Sequence, residues 1–427
     1  MVLDLLDARL EPGPARLERP AAHRGSDVES EVKDIVNDVR LRGDAAVVEY
    51  TSRFDGVRLE PDGLRVGPAD IGASRDLVPP DLITALEAMA TTCRRTGERD
   101  LSQSWLDRDN PVVVGELVRP LRRTGIYVAG PRGNPSLVLS GAVAARVAGV
   151  EGIAVCSPPG ASGEIAESTL AACSVAGVDE VYRMGGAQAV AAFAYGTETV
   201  RPVESVVGAG GRFVTCAQRL VRGWVGTGPQ SGPSELVVIA DETSSPLLIA
   251  ADLTANAARG PAGTHVVLSA AEGLLQDVLA ALDAQVASLH GGDDIENALI
   301  EGGRAVLVRD LDHALETVNA FAPQQLVLAI ASPQEALDRL RNAGSVMLGD
   351  STPLSALAYL TGRGGVLPTG GSARWDSRLS PRNFVTTIPV SGTDRAALHD
   401  AAPGVMALTE AEGSAADYLA LSLRLDG

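Results

Sequence analysis

The sequence predicts an α/β fold built on two parallel β-sheets, each covered by helices on both faces. Two tandem stretches alternate short apolar runs with longer segments whose apolar residues recur at helical spacing. This alternation is typical of strands that are buried on both sides. Apolar residues account for 45% of the 427 residues and aromatic residues for only 3%. The two cores must therefore be built mainly from Ala, Val and Leu.

The individual elements follow from this periodicity in chain order. Residues 1–25 form an arm with a Pro-rich break, and amphipathic helices are predicted at 27–54 and 81–96. The first stretch is predicted to have strands at 125–129, 152–156, 180–184 and 205–207, with helices at 136–148, 165–176 and 187–193. The second is predicted to have strands at 236–240, 264–268, 304–308, 325–330 and 346–348, with helices at 273–289, 311–321 and 332–342. Helices are predicted to close the chain at 394–425.

One helix of the second stretch carries two polar residues near its end. Ser245 and Pro246 mark its start, and Gly260 marks its stop. Asn256 and Arg259 are three residues apart, which predicts that they share a face of the last turn. From the residues alone, the favoured interpretation is that Arg259 interacts with the helix dipole, and the alternative is that both residues line a site.

Composition excludes several classes of partner and site. The net charge of −18 disfavours nucleic acid and anionic membrane surfaces. Neither the four cysteines nor the five histidines show the spacing of a metal site, and the cysteines are expected to be buried thiols in a reducing compartment. The start of the chain does not resemble a signal peptide, and no apolar run reaches membrane-spanning length. These features predict a cytoplasmic protein.

Three Gly-rich turns follow predicted strands, at 130–134, 185–189 and 208–211. Turns in this position can hold a phosphate through backbone N–H groups, although none of the three is a complete dinucleotide-binding motif. Glycine is also common at such turns for conformational reasons alone. The residues by themselves therefore predict a two-lobed protein with a small molecule in its cleft.

Several longer stretches together resemble the histidinol dehydrogenases. They are GIYVA at 125–129, DEVYRMGGAQAVAAFAYG at 179–196, NAFAPQQL at 319–326, GSVMLGD at 344–350, VLPT at 366–369 and LTEAEG at 408–413. The resemblance implies two incomplete Rossmann-like lobes, and a homodimer in which an N-terminal arm and a C-terminal helical tail are exchanged. The predicted divisions are the arm at 1–25, the lobes at 26–235 and 236–378, and the tail at 379–427, with part of 105–124 as an alternative member of the second lobe.

The resemblance also implies NAD-dependent oxidation of histidinol to histidine at a zinc site, but the residues that would do this chemistry are replaced. The positions of the zinc ligands hold Asn256, Arg259, Ala358 and Asp417. The positions of the acid–base pair hold Gln324 and Gln325, and the position of a further His holds Gly365. Amides do not titrate near neutral pH, and zinc needs a full set of N, O or S ligands. The sequence therefore predicts that this chain binds no metal.

Other positions of the family pattern are kept. Tyr127 and Gln188 match residues that contact NAD, and Gly210 and Gly211 lie in a turn that contacts NAD, with Gly211 in place of an Asn. Ser234 and Glu412 match contacts to the substrate. The candidate substrate-binding residues are Ser136, Ser234, Asn256, Arg259 and Tyr359, and those at catalytic positions are Gln324, Gln325, Glu412 and Asp417.

These replacements suggest a changed reaction. In the favoured hypothesis Arg259 takes over the positive charge of zinc, and either pairs with Asp417 or binds a substrate carboxylate. The predicted function is zinc-independent, NAD-dependent oxidation of a small alcohol, aldehyde or amino compound other than histidinol, in secondary metabolism. The alternatives are a non-redox enzyme that uses Arg259, Asp417 and Glu412, and an inactive binding or scaffold protein whose site has drifted.

Overall fold

The computed structural model describes residues 3–20, 28–108, 112–130, 133–363 and 365–425. The chain divides into two units. The larger unit comprises Met1–Asp100 and Leu121–Phe384, and the smaller comprises Leu101–Pro120 and Val385–Gly427. Within the described part of the chain, no helix is long and apolar enough to cross a membrane.

The first strand belongs to a lobe rather than to a separate arm. The chain begins with β1 (Asp4–Asp7), α1 (Glu29–Arg42), α2 (Asp44–Asp55), α3 (Pro68–Ala73) and α4 (Pro80–Asp100). Strand β1 adds to the edge of the second lobe's sheet in the same chain, and Leu3 and Ala8 beside it are buried there. This differs from the predicted arm at 1–25, because a four-residue strand with Asp at both ends carries no apolar periodicity.

The first lobe is a five-stranded parallel sheet. After β2 (Trp105–Asp107) and β3 (Val112–Pro120), the chain forms β4 (Arg123–Val128), α5 (Pro135–Ala148), β5 (Gly152–Ser157), α6 (Glu167–Val175), β6 (Glu180–Arg183), α7 (Gly186–Tyr195), β7 (Ser205–Ala209), α8 (Arg212–Val221) and β8 (Gly226–Thr227). The strand order is β6-β5-β4-β7-β8. The order reverses between β4 and β7, and ligands of such sheets bind outside the carboxyl ends of the strands at this point.

The second lobe repeats this arrangement. It consists of β9 (Glu235–Ala240), α9 (Pro246–Ala257), β10 (Thr264–Ser269), α10 (Glu272–Ser288), α11 (Gly292–Gly302), β11 (Gly303–Leu307), α12 (Leu311–Phe321), β12 (Gln325–Ala329), β13 (Ser345–Leu348) and α13 (Ala356–Thr361). Its strand order is β1-β11-β10-β9-β12-β13, all parallel. The predicted α/β class and the strands predicted in both stretches are confirmed, whereas the helix expected at 332–342 is the 3₁₀ helix Pro333–Arg339.

The smaller unit contains an antiparallel sheet. It is completed by β14 (Val385–Thr393), α14 (Arg395–Ala411) and α15 (Ala415–Leu425), and the strand order is β14-β3-β2. Strands β2 and β3 therefore join the C-terminal tail and neither lobe, and the tail includes a strand as well as helices. Strand β3 pairs with β14, which lies far away in the sequence. No local sequence pattern predicts such a pairing.

Candidate functional site

The carboxyl ends of β4 and β6 bring two of the predicted cofactor-binding residues together. The hydroxyl oxygen of Tyr127 accepts a hydrogen bond of 3.1 Å from the Gly186 N–H in the first turn of α7. Gln188, in the same turn, is fully buried, and neither of its amide atoms has a hydrogen-bond partner among the described residues. Leaving buried polar atoms unpaired costs about 1–3 kcal/mol each. This arrangement fits a site where a ligand supplies the missing hydrogen bonds.

The turn after β7 completes this part of the site. Gly208 has a φ of +127°, and a Cβ atom there would lie 2.1 Å from the carbonyl oxygen of Tyr127. Gly211 is the N-cap residue of α8, and no described atom lies within 4 Å of where its Cβ would be. Helix α8 therefore begins at an open turn, and the first N–H groups of a helix can bind anionic ligands. Gly210 packs against Val214, and Ser136 in the first turn of α5 donates to Asn134.

A network of amides connects the amino ends of β9 and β12. The Ser234 hydroxyl lies 2.6 Å from Oδ1 of Asn256 and 3.2 Å from Oε1 of Gln324. The same Gln324 oxygen accepts from the Glu235 N–H at 3.1 Å and from Nε2 of Gln325 at 3.1 Å. The structure thus brings four of the predicted site residues into direct contact: Ser234, Asn256, Gln324 and Gln325. None of their side chains titrates near neutral pH.

His265 extends this network, although the sequence did not predict it as a site residue. Nδ2 of Asn256 donates to the Thr264 carbonyl at 3.1 Å and lies 2.8 Å from Nδ1 of His265, which therefore accepts. This contact places the imidazole proton on Nε2, which has no partner among the described residues. Burial lowers the pKa of His265 to about 4. A single His inside an apolar strand gives no signal of such a role, because it is usually a core residue.

The perturbed imidazole predicts a pH-dependent stability. The unfolded chain protonates His265 near pH 6.5 and the folded protein only near pH 4. Between these values the unfolded state binds more protons, so the free energy of unfolding should fall by roughly 3 kcal/mol as the pH decreases through this window. His265→Gln keeps an acceptor for Asn256 and should remove that loss.

Denaturant titrations of both proteins between pH 4 and pH 7, compared pairwise at each pH, measure the effect. The exposed His399→Gln variant is the control. If the free energies of unfolding of wild type and His265→Gln differed by the same amount at every pH in the window, the assigned environment of the imidazole would be contradicted.

Arg259 lies just beyond the helix that carries Asn256, and its backbone N–H donates to the Asn256 carbonyl at 3.2 Å. Helix α9 ends at Ala257, so Arg259 follows its last turn and is exposed, whereas Asn256 is fully buried. The helix therefore ends two residues before Arg259, so the two residues do not both belong to its last turn as predicted. Neighbouring protein atoms displace water from the guanidinium and lower its pKa, while Tyr359 and Asp252 oppose this electrostatically. No carboxylate of the described residues forms an ion pair with Arg259.

Of three further predicted positions, one lies in the larger unit and two in the smaller. Gly365 packs so closely against Ser140 that a Cβ atom would come within 2.3 Å of the serine Cβ, so Ser140 occupies part of the space that a side chain at 365 would need. Glu412 follows α14, and Asp417 in the first turn of α15 accepts from the Ser414 hydroxyl. Glu412 and Asp417 are exposed residues of the smaller unit, and the pairing of Asp417 with Arg259 stays a prediction.

A short segment connects the two parts of the site in the larger unit. The Ser231 carbonyl accepts a 2.7 Å hydrogen bond from the Thr215 hydroxyl in α8, beside the turn after β7. Three residues later, Ser234 enters the amide network. Three extended residues span at most about 11 Å. The two parts are therefore close enough for one to hold a cofactor and the other its substrate.

The residues present do not fit zinc. Asn256 is fully buried and already hydrogen-bonded through both amide atoms, and the positively charged guanidinium of Arg259 cannot act as a ligand to a cation. Among the described residues, no group of three His, Cys, Asp or Glu side chains is arranged to hold a metal ion. Zinc sites in proteins need such a set.

Comparisons with known proteins agree with this arrangement of lobes. Residues 18–425 match the family model described as histidinol dehydrogenase. Histidinol dehydrogenase of Methanothermobacter thermautotrophicus is 39% identical over 389 residues, which are 91% of this chain and 91% of that protein. That of Geobacter sulfurreducens is 38% identical and covers 99% of both chains. The crystal structure of histidinol dehydrogenase from Elizabethkingia anophelis superposes with a TM-score of 0.91 at 28% identity, and covers 100% of this chain and 98% of that one. The chain therefore belongs to the histidinol dehydrogenase family of oxidoreductases.

Proposed function

We propose that this chain is a zinc-independent oxidoreductase that uses NAD to oxidise a small alcohol, aldehyde or amino compound other than histidinol. The observation that supports this most directly is the amide network around Asn256, which fills the position where the family resemblance implies a metal. Its relatives are named histidinol dehydrogenases, which supports a related reaction. A reaction in secondary metabolism is the setting we propose, because histidine synthesis would need the replaced groups.

Arg259 supports a substrate that carries an anionic group. Arg259 is an exposed residue, and its guanidinium, from which neighbouring atoms displace part of the water, has no ion pair with a described residue. Such a group binds a carboxylate through two parallel hydrogen bonds, each charge-assisted. A substrate carboxylate would supply the negative charge that this position needs, so we expect hydroxy, keto or amino acids among the substrates.

Ser234 is suited to hold the reacting group. Both N–H groups of the Asn256 amide are directed at Thr264 and His265, so its oxygen receives the Ser234 proton. The lone pairs of the Ser234 oxygen are then available to a substrate hydroxyl or ammonium group. In the oxidation of an alcohol, the carbon loses a hydride to the cofactor, and the hydroxyl proton passes to solvent because neither Gln324 nor Gln325 can take it.

The first lobe fits NAD. The unpaired amide of Gln188, the hydroxyl of Tyr127 and the open turn at Gly211 lie at the edge of the sheet where ligands of such lobes bind. When bound, NAD supplies the acceptor for two electrons. We also propose the homodimer that the resemblance implies, in which an exchanged tail brings Glu412 and Asp417 to the partner's site.

The test begins with the purified full-length protein. Its metal content is measured by mass spectrometry, NAD binding by calorimetry, and NADH formation by absorbance, with histidinol and with a panel of small hydroxy and amino acids, with and without added zinc. We expect no retained zinc, no histidinol turnover, an NAD dissociation constant between about 1 μM and 1 mM, and turnover of a carboxylate-bearing compound.

Arg259→Met should weaken the binding of that compound by about 10- to 100-fold, the effect of losing a hydrogen bond to a charged group. Arg94→Met, which changes an exposed arginine on α4, is the matched control. Zinc-dependent histidinol turnover would overturn the proposed substrate and mechanism. A failure to bind NAD at millimolar concentration would overturn the oxidoreductase proposal altogether.

A further inference from the structure

We infer that the second lobe has a ligand site of its own, which binds a small organic cation at the carboxyl edge of its sheet. The strand order of this lobe reverses between β9 and β12, because β10 and β11 follow β9 on one side and β12 lies on the other. In open α/β sheets, ligands bind outside the carboxyl ends of the strands at such a point. The inference does not depend on the proposed dehydrogenase reaction.

A cavity lies at this point of the second lobe. Its volume is about 600 Å³, which is in the usual range of sites for small molecules. Buried residues at the ends of three strands form part of its wall, namely Ile239, Leu268 and Val308. Leu311 and Ala314 from the start of α12 complete the apolar part. The cavity can therefore bury the apolar body of a ligand.

This cavity is separate from the amide network. Ser234 comes just before β9 and Asp241 just after it, and the six residues of the strand span about 20 Å. Gln325 begins β12, and Ile330 follows its last residue. Asp241 and Ile330 line the cavity. The two sites therefore lie at opposite ends of the same strands.

Asp241 fixes the turns at the base of the cavity. Its carboxylate accepts hydrogen bonds from the N–H groups of Ala331 at 2.8 Å and Thr243 at 3.0 Å, and its own N–H donates to the Ala329 carbonyl at 3.2 Å. These contacts join the turns that follow β9 and β12. A preformed cavity binds a ligand without the cost of first ordering its loops. Because Asp241 already has these donors, we assign it to the framework of the site.

Three other polar side chains of the cavity have unused hydrogen-bonding capacity. Ser269 is 1% exposed, and its oxygen accepts from the Ala271 N–H at 3.0 Å, but its hydroxyl proton has no acceptor among the described residues. Glu242 and Glu335 are exposed, and neither carboxylate has a hydrogen bond or an ion pair with a described residue. A buried donor and two carboxylate acceptors favour a ligand that both accepts and donates hydrogen bonds.

The charge of the cavity favours a cation. Arg339 lines it but forms an ion pair with Asp312, so it adds no net positive charge. Helices α10 and α12 begin beside the cavity, and each amino end supplies only about half a positive charge. Four carboxylates line the cavity and outweigh this: Asp241, Glu242, Asp310 and Glu335. An ammonium group is therefore attracted, whereas a phosphate or carboxylate is repelled.

The turns of the second lobe also argue against a second nucleotide. Glycine-rich turns follow strands of the first lobe, but residues 241–245, 270–271 and 330–332, which follow β9, β10 and β12, include no glycine. Backbone N–H groups can then approach a phosphate less closely. The ligand class is therefore an unphosphorylated amine with an apolar ring or chain and a hydroxyl group that accepts from Ser269.

The experiment measures the binding of three aromatic probes to the full-length protein by calorimetry near neutral pH. Tyramine carries an ammonium and a hydroxyl group, phenethylamine lacks the hydroxyl group, and hydroxyphenylacetate has a carboxylate in place of the ammonium group. We expect tyramine to bind with a dissociation constant of about 1 mM or below. Phenethylamine should bind about 2- to 10-fold more weakly, and hydroxyphenylacetate should not bind measurably.

Two variants test whether the amine binds in the cavity. Glu242→Gln combined with Glu335→Gln should weaken tyramine binding at least about 10-fold, because it removes two of the negative charges. Ala270→Trp places a bulky side chain at an exposed lining position and should abolish binding. The control combines Glu296→Gln with Glu301→Gln, two exposed acids of α11, and should change the dissociation constant less than about 2-fold.

Circular dichroism first establishes that each variant is folded. The absence of tyramine binding, or equal binding of tyramine and hydroxyphenylacetate, would overturn the inference. Tyramine binding that both cavity variants leave unchanged would also overturn it, since the amine would then bind elsewhere. Either failure would leave the proposed function standing, because neither NAD nor Arg259 takes part in this test.

Discussion

The Gly208→Ala variant is expected to unfold with a free energy at least about 4 kcal/mol below that of wild type. Gly208 pairs with Tyr127 in the parallel ladder between β7 and β4, and an added Cβ atom would lie 2.1 Å from the Tyr127 carbonyl oxygen. Backbone atoms in a ladder cannot move singly, so the two central strands of the first lobe would have to separate. Its φ of +127° adds strain for any residue with a Cβ atom.

Gly211→Ala provides the matched control, three residues further along the same turn. Gly211 has a φ of −68°, and the space beside it is open among the described residues. Denaturant unfolding followed by circular dichroism should show Gly211→Ala within about 0.5 kcal/mol of wild type. Equal stabilities for the two alanine variants would show that the close approach of β7 and β4 is wrong.

Replacing Glu235 with alanine should cost about 3–5 kcal/mol, the effect of removing one partner from a buried ion pair. Glu235 is fully buried at the start of β9, and its carboxylate accepts from Nε of Arg19 at 2.6 Å. It also accepts from the backbone N–H groups of Gln324 at 3.0 Å and Gly370 at 2.9 Å. The variant would leave a guanidinium and two N–H groups without this acceptor, next to the amide network.

A control variant separates the effect of losing the ion pair from the effect of general damage to β9. Glu242→Ala changes an exposed acid just past the other end of the same strand, and its unfolding free energy should stay within about 0.5 kcal/mol of wild type. The double variant Arg19→Met with Glu235→Leu should be more stable than Glu235→Ala, because no charge is left unpaired. A Glu235→Ala protein as stable as the Glu242→Ala control would contradict the assigned role.

The sequence predicts the two lobes well because their strands are short continuous apolar runs between helices, so the signal is local. It does not predict β1, whose four residues are half acidic, nor the pairing of β3 with β14. Both pairings join parts of the chain that are hundreds of residues apart. The information that fixes them lies in tertiary packing, which periodicity does not report.

The sequence likewise predicted only part of the candidate site. The positions of Tyr127, Gln188, Ser234 and the two glutamines came from the family pattern, but their mutual contacts did not. His265 was missed, since a single His in a strand is an ordinary feature. Its importance depends on its burial and on the partner that its Nε2 lacks among the described residues, and only the folded structure shows these.

The contacts of the first residues have a consequence for synthesis on the ribosome. Strand β1 pairs with β11, and Arg19 with Glu235, so these residues leave the exit tunnel long before their partners have been translated. The five strands of the first lobe, by contrast, all lie between Arg123 and Thr227. We therefore expect the first lobe to fold first. The segment that contains β1 should remain solvated until β11 has been synthesised.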